Sequence, residues 1–231
     1  MKIPWISKER IAQEAGNLLG GYAAMVGKSI HPPIPVEDII ERFLGLNLSY
    51  EDLEEKLGID DVLGATYVNS RSICVNEKLL DDPDEGRILF TCAHEVGHWV
   101  LHRHLVKTAA RSAGTVEAVV CRARNVRQPM EWQANHFAGC LLMPEHDVKR
   151  AFSLVFQAER VVLDNVKSAL GGTGVCVDPC VENWPLIADA VRESGGFSNV
   201  SKEAMIFRVE DLGLLVNRTE ERVGWKASSK E

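Results

Sequence analysis

"CAHEVGHWVLHRH", residues 92–104, holds four of the chain's seven histidines, and two of them, His94 and His98, stand in the spacing H-E-x-x-H. On an α-helix, positions four apart are turned by only about 40° and lie about 6 Å apart along the axis, so the two imidazoles can face one ion. Glu95 is their neighbour on the wheel and is placed to act as general base toward a water on that ion. Ile88, Leu89, Cys92, Val96, Trp99 and Val100 form an apolar stripe on the same helix, and the histidine pair projects from roughly the opposite side. That is the wrong place for core histidines. Upstream, "DDPDEGRILF" (81–90) reads as the helix start, with Asp82 as cap, Pro83 at the first position and Glu85 completing a capping box.

A hydrolytic zinc site needs a third protein ligand and one open position. Two residues compete for that role. His104 follows His98 at the offset used in H-E-x-x-H-x-x-G-x-x-H sites, but position 101, where that arrangement needs glycine, is Leu101. Glu131 opens a second helix, "PMEWQANHFAGCLLMP" (129–144), with Asn135 one turn on and Ala134, Phe137, Ala138 and Leu141 at packing spacing. A carboxylate there can bind zinc, while the Asn135 amide can accept from the distal N–H of a ligand histidine and fix its tautomer. Gln133 cannot replace an anionic ligand.

The remaining composition sets bounds on these readings. Lys+Arg of 26 against Asp+Glu of 33 gives a net charge of -7 over 231 residues, which repels nucleic acid, and no local basic patch offsets it. No apolar run approaches the roughly 18 residues needed to span a bilayer, and the N-terminus lacks a signal-peptide core, so a cytoplasmic chain without membrane contact is expected. Six cysteines are too few for a disulfide scaffold. Cys176 and Cys180, in "CVDPC", are close enough to suggest a site but have no second ligand pair nearby.

Along the chain, a helix is expected from about Lys8 to Met25, then a proline-rich turn and the short helix "VEDIIERFLGL" (36–46). "LNLSYEDL", "VLGATYVN" and "RSICVN" alternate apolar and polar residues and predict a small antiparallel or mixed sheet, with Asn69-Ser70-Arg71 as a hairpin turn. Helical patterns dominate after residue 150, and the tail "KASSKE" lacks any core-forming residues. The expected organisation is an N-terminal helix over 1–30, an α+β core over 31–150, and a mainly helical appendage over 151–231.

"FTCAHEVGHWVLH" followed by "EWQANHFAGCLLMP" resembles the ImmA/IrrE-type zinc metallopeptidases, whose pattern is an H-E-x-x-H helix and then a helix of the form E-x-x-A-N-x-F-A-x-x-L-L-M-P. "PPIPVEDII" and "GATYVN…SICVN" are similar to that family's lead-in, so the resemblance spans about residues 32–148. It implies a zincin-like core and a Zn²⁺ held by His94, His98 and Glu131, with Glu95 catalytic. It further implies a protein substrate, a helix-turn-helix repressor on a separate chain, cut to release genes of a mobile element or stress response. "NVSKEAMIFRVEDLGLL" (199–215) is similar to the helical segment that follows the family's core, with Arg208-Val209 where the usual pair is Arg-Leu. Its mixed charge suits packing or partner binding rather than DNA reading. The alternative from another class is a non-catalytic binding protein with the same fold that binds a repressor or senses metal.

Four further residues are candidates for oxyanion or substrate contacts: His102, one turn beyond the ligand pair, His136 beside Asn135, Tyr67 on its strand, and Asn76. "SICVN" (72–76) reads as an edge strand along which an extended peptide can lie.

Overall fold

The computed structural model describes residues 3–82, 84–113, 118–122, 128–163 and 183–218. Cys176, Cys180 and the tail "KASSKE" lie outside the described residues. The chain divides into two compact units, Met1–Pro144 with Phe197–Ser201, and Glu145–Gly196 with Lys202–Glu231.

The first unit opens with α1 (Lys8–Val26), started by the Ser7 hydroxyl accepting from the Arg10 amide and stopped by Gly27 in the left-handed region. Its buried residues Ile11, Ala15, Leu18 and Tyr22 recur at helical spacing. A short helix, α2 (Val36–Asp38), continues as a π turn over Ile39–Phe43 and leads into β1 (Asn47–Glu51). Next come α3 (Leu53–Leu57), capped by Asp52, and the hairpin of β2 (Val62–Tyr67) and β3 (Ser72–Asn76). After a 3₁₀ turn, α4 (Glu85–Gly97) runs into a π turn (His98–His102) and then α5 (Arg103–Ala113). β4 (Ala118–Arg122) and α6 (Pro129–Leu142) complete the unit, and α6 packs against both α1 and α4. Residues 197–201 join it, with Asn199 donating to the Ile34 carbonyl at 2.9 Å. The second unit holds α7 (Glu145–Phe156), β5 (Val161–Leu163), α8 (Trp184–Gly195), α9 (Lys202–Asp211) and β6 (Leu215–Asn217), with β5 and β6 paired in parallel.

The four-stranded sheet is mixed, in the order β1-β3-β2-β4. β3 runs parallel to β1 and antiparallel to β2, so "SICVN" is an interior strand with both edges paired, and the edge reading of it is corrected. The edges are β1 and β4. Alternation alone does not reveal this, because the parallel partner β1 comes from before the hairpin. Side chains alternate over residues 64–67 of β2: Gly64 and Thr66 lie against Glu95 of α4, whereas Ala65 and Tyr67 pack with Leu53 and Cys74 on the α3 side, where Val62 joins them across an irregularity between Val62 and Gly64.

The start of α4 also differs from expectation. Asp84 is the cap, its Oδ1 accepting from the Gly86 amide at 2.9 Å, while Asp82 accepts from the Asp84 amide and from Arg87. Among the described residues no helix is long and apolar enough to cross a membrane.

One half-buried pair makes the unit's stability depend on pH. The Tyr22 hydroxyl donates to Asp38, which also receives Arg42, and these bonds hold the Asp38 carboxyl below its usual pKa. Because the folded value is the lower one, this stabilisation is present above the unfolded pKa and is lost as pH falls through the folded one. Tyr22→Phe is therefore expected to lower the melting temperature at about pH 7, and the deficit to shrink as pH falls below the ordinary aspartate range. Thermal melts of both proteins across that range check it.

Candidate metal centre

Three ligand atoms converge where α4 crosses α6. His94 Nε2 and His98 Nε2 are 2.9 Å apart, and Glu131 places one carboxylate oxygen 3.2 Å from His94 Nε2 and the other 3.4 Å from His98 Nε2. All three residues are buried, and among the described residues they form the one group of ligating side chains arranged to hold a metal ion. His104 lies exposed on α5, outside this group.

The close crossing of the two helices has a cause in sequence. A Cβ on Gly97 would sit 3.1 Å from both the Cα and the carbonyl oxygen of Ala134 and 3.3 Å from Phe137 Cβ. A side chain at position 97 would press the two backbones apart by a few tenths of an ångström, and Ala134 meets the glycine with a single methyl. Gly97→Val is accordingly expected to force α4 and α6 apart, costing about 2 kcal/mol of stability by overpacking and weakening metal uptake. Denaturant unfolding and metal titration of that variant check it.

This packing also changes the reading of the histidine face. His94, Glu95 and His98 do not face solvent: they are 3%, 0% and 0% exposed, because α6 and the sheet cover the side of α4 opposite its apolar stripe. Burial holds the His98 pKa down at about 4, so its ring is neutral at ordinary pH. Glu131 is raised by its own burial but lowered further by hydrogen bonds from His94 and His98, and the net shift is downward, to an ionised carboxylate. The donor set is two imidazoles and one carboxylate, which could hold a divalent ion.

Glu95 sits beside this group. Burial lifts its carboxyl pKa to about 7, against the lowering effects of His94 and the Thr66 hydroxyl, with Glu131 adding to the rise. Thr66 Oγ1 donates to Glu95 Oε2 at 2.6 Å and lies 3.1 Å from the Glu95 carbonyl oxygen. Glu95 Oε1 is buried with no hydrogen-bond partner. Gly64 makes room for it, since a Cβ there would stand 2.5 Å from Oε1. The sequence reading missed Gly64 and Thr66: both look like ordinary strand residues, and their relation to Glu95 exists only once β2 is laid on α4.

The other candidates fall in separate places. Asn135 Oδ1 lies 2.8 Å from His94 Nδ1, so this amide touches the ligand pair directly. His102 is fully buried, 3.0 Å from His98 Nδ1 through its own Nδ1 and 2.8 Å from Gln133 Oε1 through Nε2, so both ring nitrogens are engaged within the protein. His136 is on another face of α6, stacked on Trp132 at 5.5 Å, and Trp132 stacks in turn on Trp5 at 4.9 Å. Tyr67 lies on the α3 side of the sheet, away from the Thr66 face that meets Glu95. Asn76 is 2% exposed and has both ends of its amide engaged, donating to the Val62 carbonyl and accepting from the Lys78 amide. It caps the 3₁₀ turn that follows β3.

A comparison with protein families places a match over residues 44–167, a span that contains the sheet, both helices of the metal centre and all of the residues around Glu95. A search of curated proteins finds no match. The matched family is Peptidase_M78, described as the IrrE N-terminal-like domain, and because the match takes in more than half of the chain, the chain belongs to this ImmA/IrrE-type peptidase family.

Proposed function

We propose that the chain is a zinc-dependent endopeptidase with a zincin-like site, in which His94, His98 and Glu131 hold the ion and Glu95 moves the proton. The observation that carries this reading is the convergence of three ligand atoms next to a buried carboxylate whose Oε1 is unpartnered. The donor set fits zinc. Bonds of about 2.1 Å in a tetrahedron put ligand atoms about 3.4 Å apart; here the two ring nitrogens are 2.9 Å apart, and the two Glu131 oxygens lie 3.2 Å from His94 Nε2 and 3.4 Å from His98 Nε2 respectively. Two imidazoles and one carboxylate are also the ligand class of hydrolytic zinc with an open position.

A zinc ion held there supplies Lewis acidity toward water and the scissile carbonyl. The protein's own residues do the rest. Thr66 fixes one oxygen of Glu95, so that the other accepts the proton of the attacking water as the new C–O bond forms. The same oxygen returns that proton to the amine nitrogen as the peptide C–N bond breaks. Asn135 holds the His94 ring by its Nδ1 and leaves Nε2 as the ligand atom.

Membership of a peptidase family implies a protein substrate. We take that substrate to be a helix-turn-helix repressor on a separate chain, cut inside a cell, with no nucleic acid bound by the peptidase itself. The test is to incubate zinc-loaded protein with a helix-turn-helix repressor from the same genome and follow the repressor by mass spectrometry. One discrete cut that stops with a chelator and returns with zinc is expected. An intact repressor at equimolar zinc-loaded enzyme would overturn the substrate assignment.

A further inference from the structure

Glu95 lies beneath one short stretch of β2. The Thr66 hydroxyl donates to its Oε2 at 2.6 Å, and a Cβ on Gly64 would stand 2.5 Å from its Oε1. An extended peptide that joined the sheet here, antiparallel along the edge of β2, would run one strand spacing, about 4.8 Å, from this backbone and bring its amide groups beside Glu95. That edge is already taken. β4 pairs antiparallel with β2, with Cys121 opposite Gly64, Val120 opposite Ala65 and Val119 opposite Thr66. The backbone of residues 119–121 thus stands where a substrate strand would lie. The site beneath is shut as well: His94, Glu95, His98 and Glu131 are all buried, and Glu95 Oε1 has no hydrogen-bond partner.

We propose that β4 is an internal strap that keeps the site latent: it holds the edge of β2 on which an extended substrate would lie, and it must leave that edge before a peptide backbone reaches Glu95. The inference rests on the peptidase reading above for its purpose, while access to Glu95 is measurable without that reading. The place of β4 in the sheet suits it to detach. It is the last strand in the order β1-β3-β2-β4, so its departure leaves β1, β3 and β2 paired with one another. It spans only five residues, and its ladder has a register irregularity between Val62 and Gly64, so few bonds hold it. None of the three converging ligand residues comes from β4, so its departure leaves the donors of the metal centre in place.

The experiment compares the full wild-type chain with Val119→Pro/Val120→Pro. Successive residues of an antiparallel strand turn their N–H alternately toward and away from the partner, so one of the two prolines removes a ladder donor. Glu95 is the one carboxyl side chain between Arg87 and Arg103, so carbodiimide labelling of the metal-free chain, read by mass spectrometry after trypsin, reports it alone. Labelling is expected to rise by about tenfold or more in the variant, as is the rate at which excess chelator strips zinc from the loaded protein. The zinc-loaded variant should also cut casein, an unfolded chain, where wild type does not. Tyr67→Cys with Ala118→Cys, register partners at the other end of the ladder, makes the opposite change and serves if the proline variant does not fold. Its oxidised form should be labelled and stripped of zinc about tenfold more slowly than its reduced form. Labelling unchanged within about twofold in either comparison would overturn the strap. A proline variant that opens Glu95 to the reagent but takes up no zinc, or cuts no casein, would uphold the strap and count against the metal or the peptidase reading instead.

Discussion

Glu131→Ala will purify without stoichiometric zinc, while His104→Ala keeps about one ion per chain. Glu131 is the only anion of the three converging residues, and its two oxygens reach both histidines at 3.2 and 3.4 Å. Without it, two imidazoles remain, His94 and His98, which is half of a zinc site. Loss of a charged ligand from a buried set is expected to weaken binding on the order of a thousandfold, or about 4 kcal/mol. Metal analysis together with chelator competition reads this directly. Circular dichroism of the same samples separates a lost ligand from a lost fold. Zinc retained at full stoichiometry in Glu131→Ala would remove the two-helix site from consideration.

Glu95→Gln is expected to do the reverse: bind zinc as wild type does and lose activity by about 10²- to 10⁴-fold, the usual scale of general acid–base catalysis. The amide is isosteric, and its oxygen can still accept from Thr66 in place of Oε2, so the fold has no reason to change. What goes is the capacity to take a proton and give it back. A zinc-replete Glu95→Gln protein with undiminished cleavage would show that another group moves the proton. If neither protein cuts any substrate while both bind the repressor equally, the non-catalytic binding reading gains the ground. Gly64→Ala offers a second route to the same end, since the added methyl would occupy the space of Glu95 Oε1 without touching a ligand.

What could be read from the sequence was what lies along one element. His94, Glu95 and His98 are close in the chain, and Glu131 with Asn135 repeats the same helical spacing, so each half of the centre shows itself without knowledge of the fold. The β2–β3 hairpin was legible for the same reason: its two strands are separated only by a short turn. What escaped depends on which elements meet. β1 enters the sheet on the far side of β3, so the pairing that makes "SICVN" interior is set by chain passing before the hairpin. Thr66 and Gly64 gain meaning only from α4, and Gln133 only from His102 and a carbonyl 129 positions earlier. The burial of the histidine face was hidden for a similar reason: a helix's polar side looks exposed until the partner that covers it is known. The π turn at His98–His102 had no sequence signal at all, although it carries the two rings that touch through their Nδ1 atoms.

The crossing of α4 and α6 has one more consequence. His98 and Glu131 are neighbours in space but bracket a span of about thirty residues, so an ion bound by both would close that span as a covalent cross-link does. In the chain-entropy description, tying off a loop of that length removes on the order of 3 to 4 kcal/mol of freedom from the unfolded ensemble. An ion in this site is thus as much a staple as a reagent. The metal-loaded protein should outlast the metal-free one against heat and proteolysis, whatever it cuts.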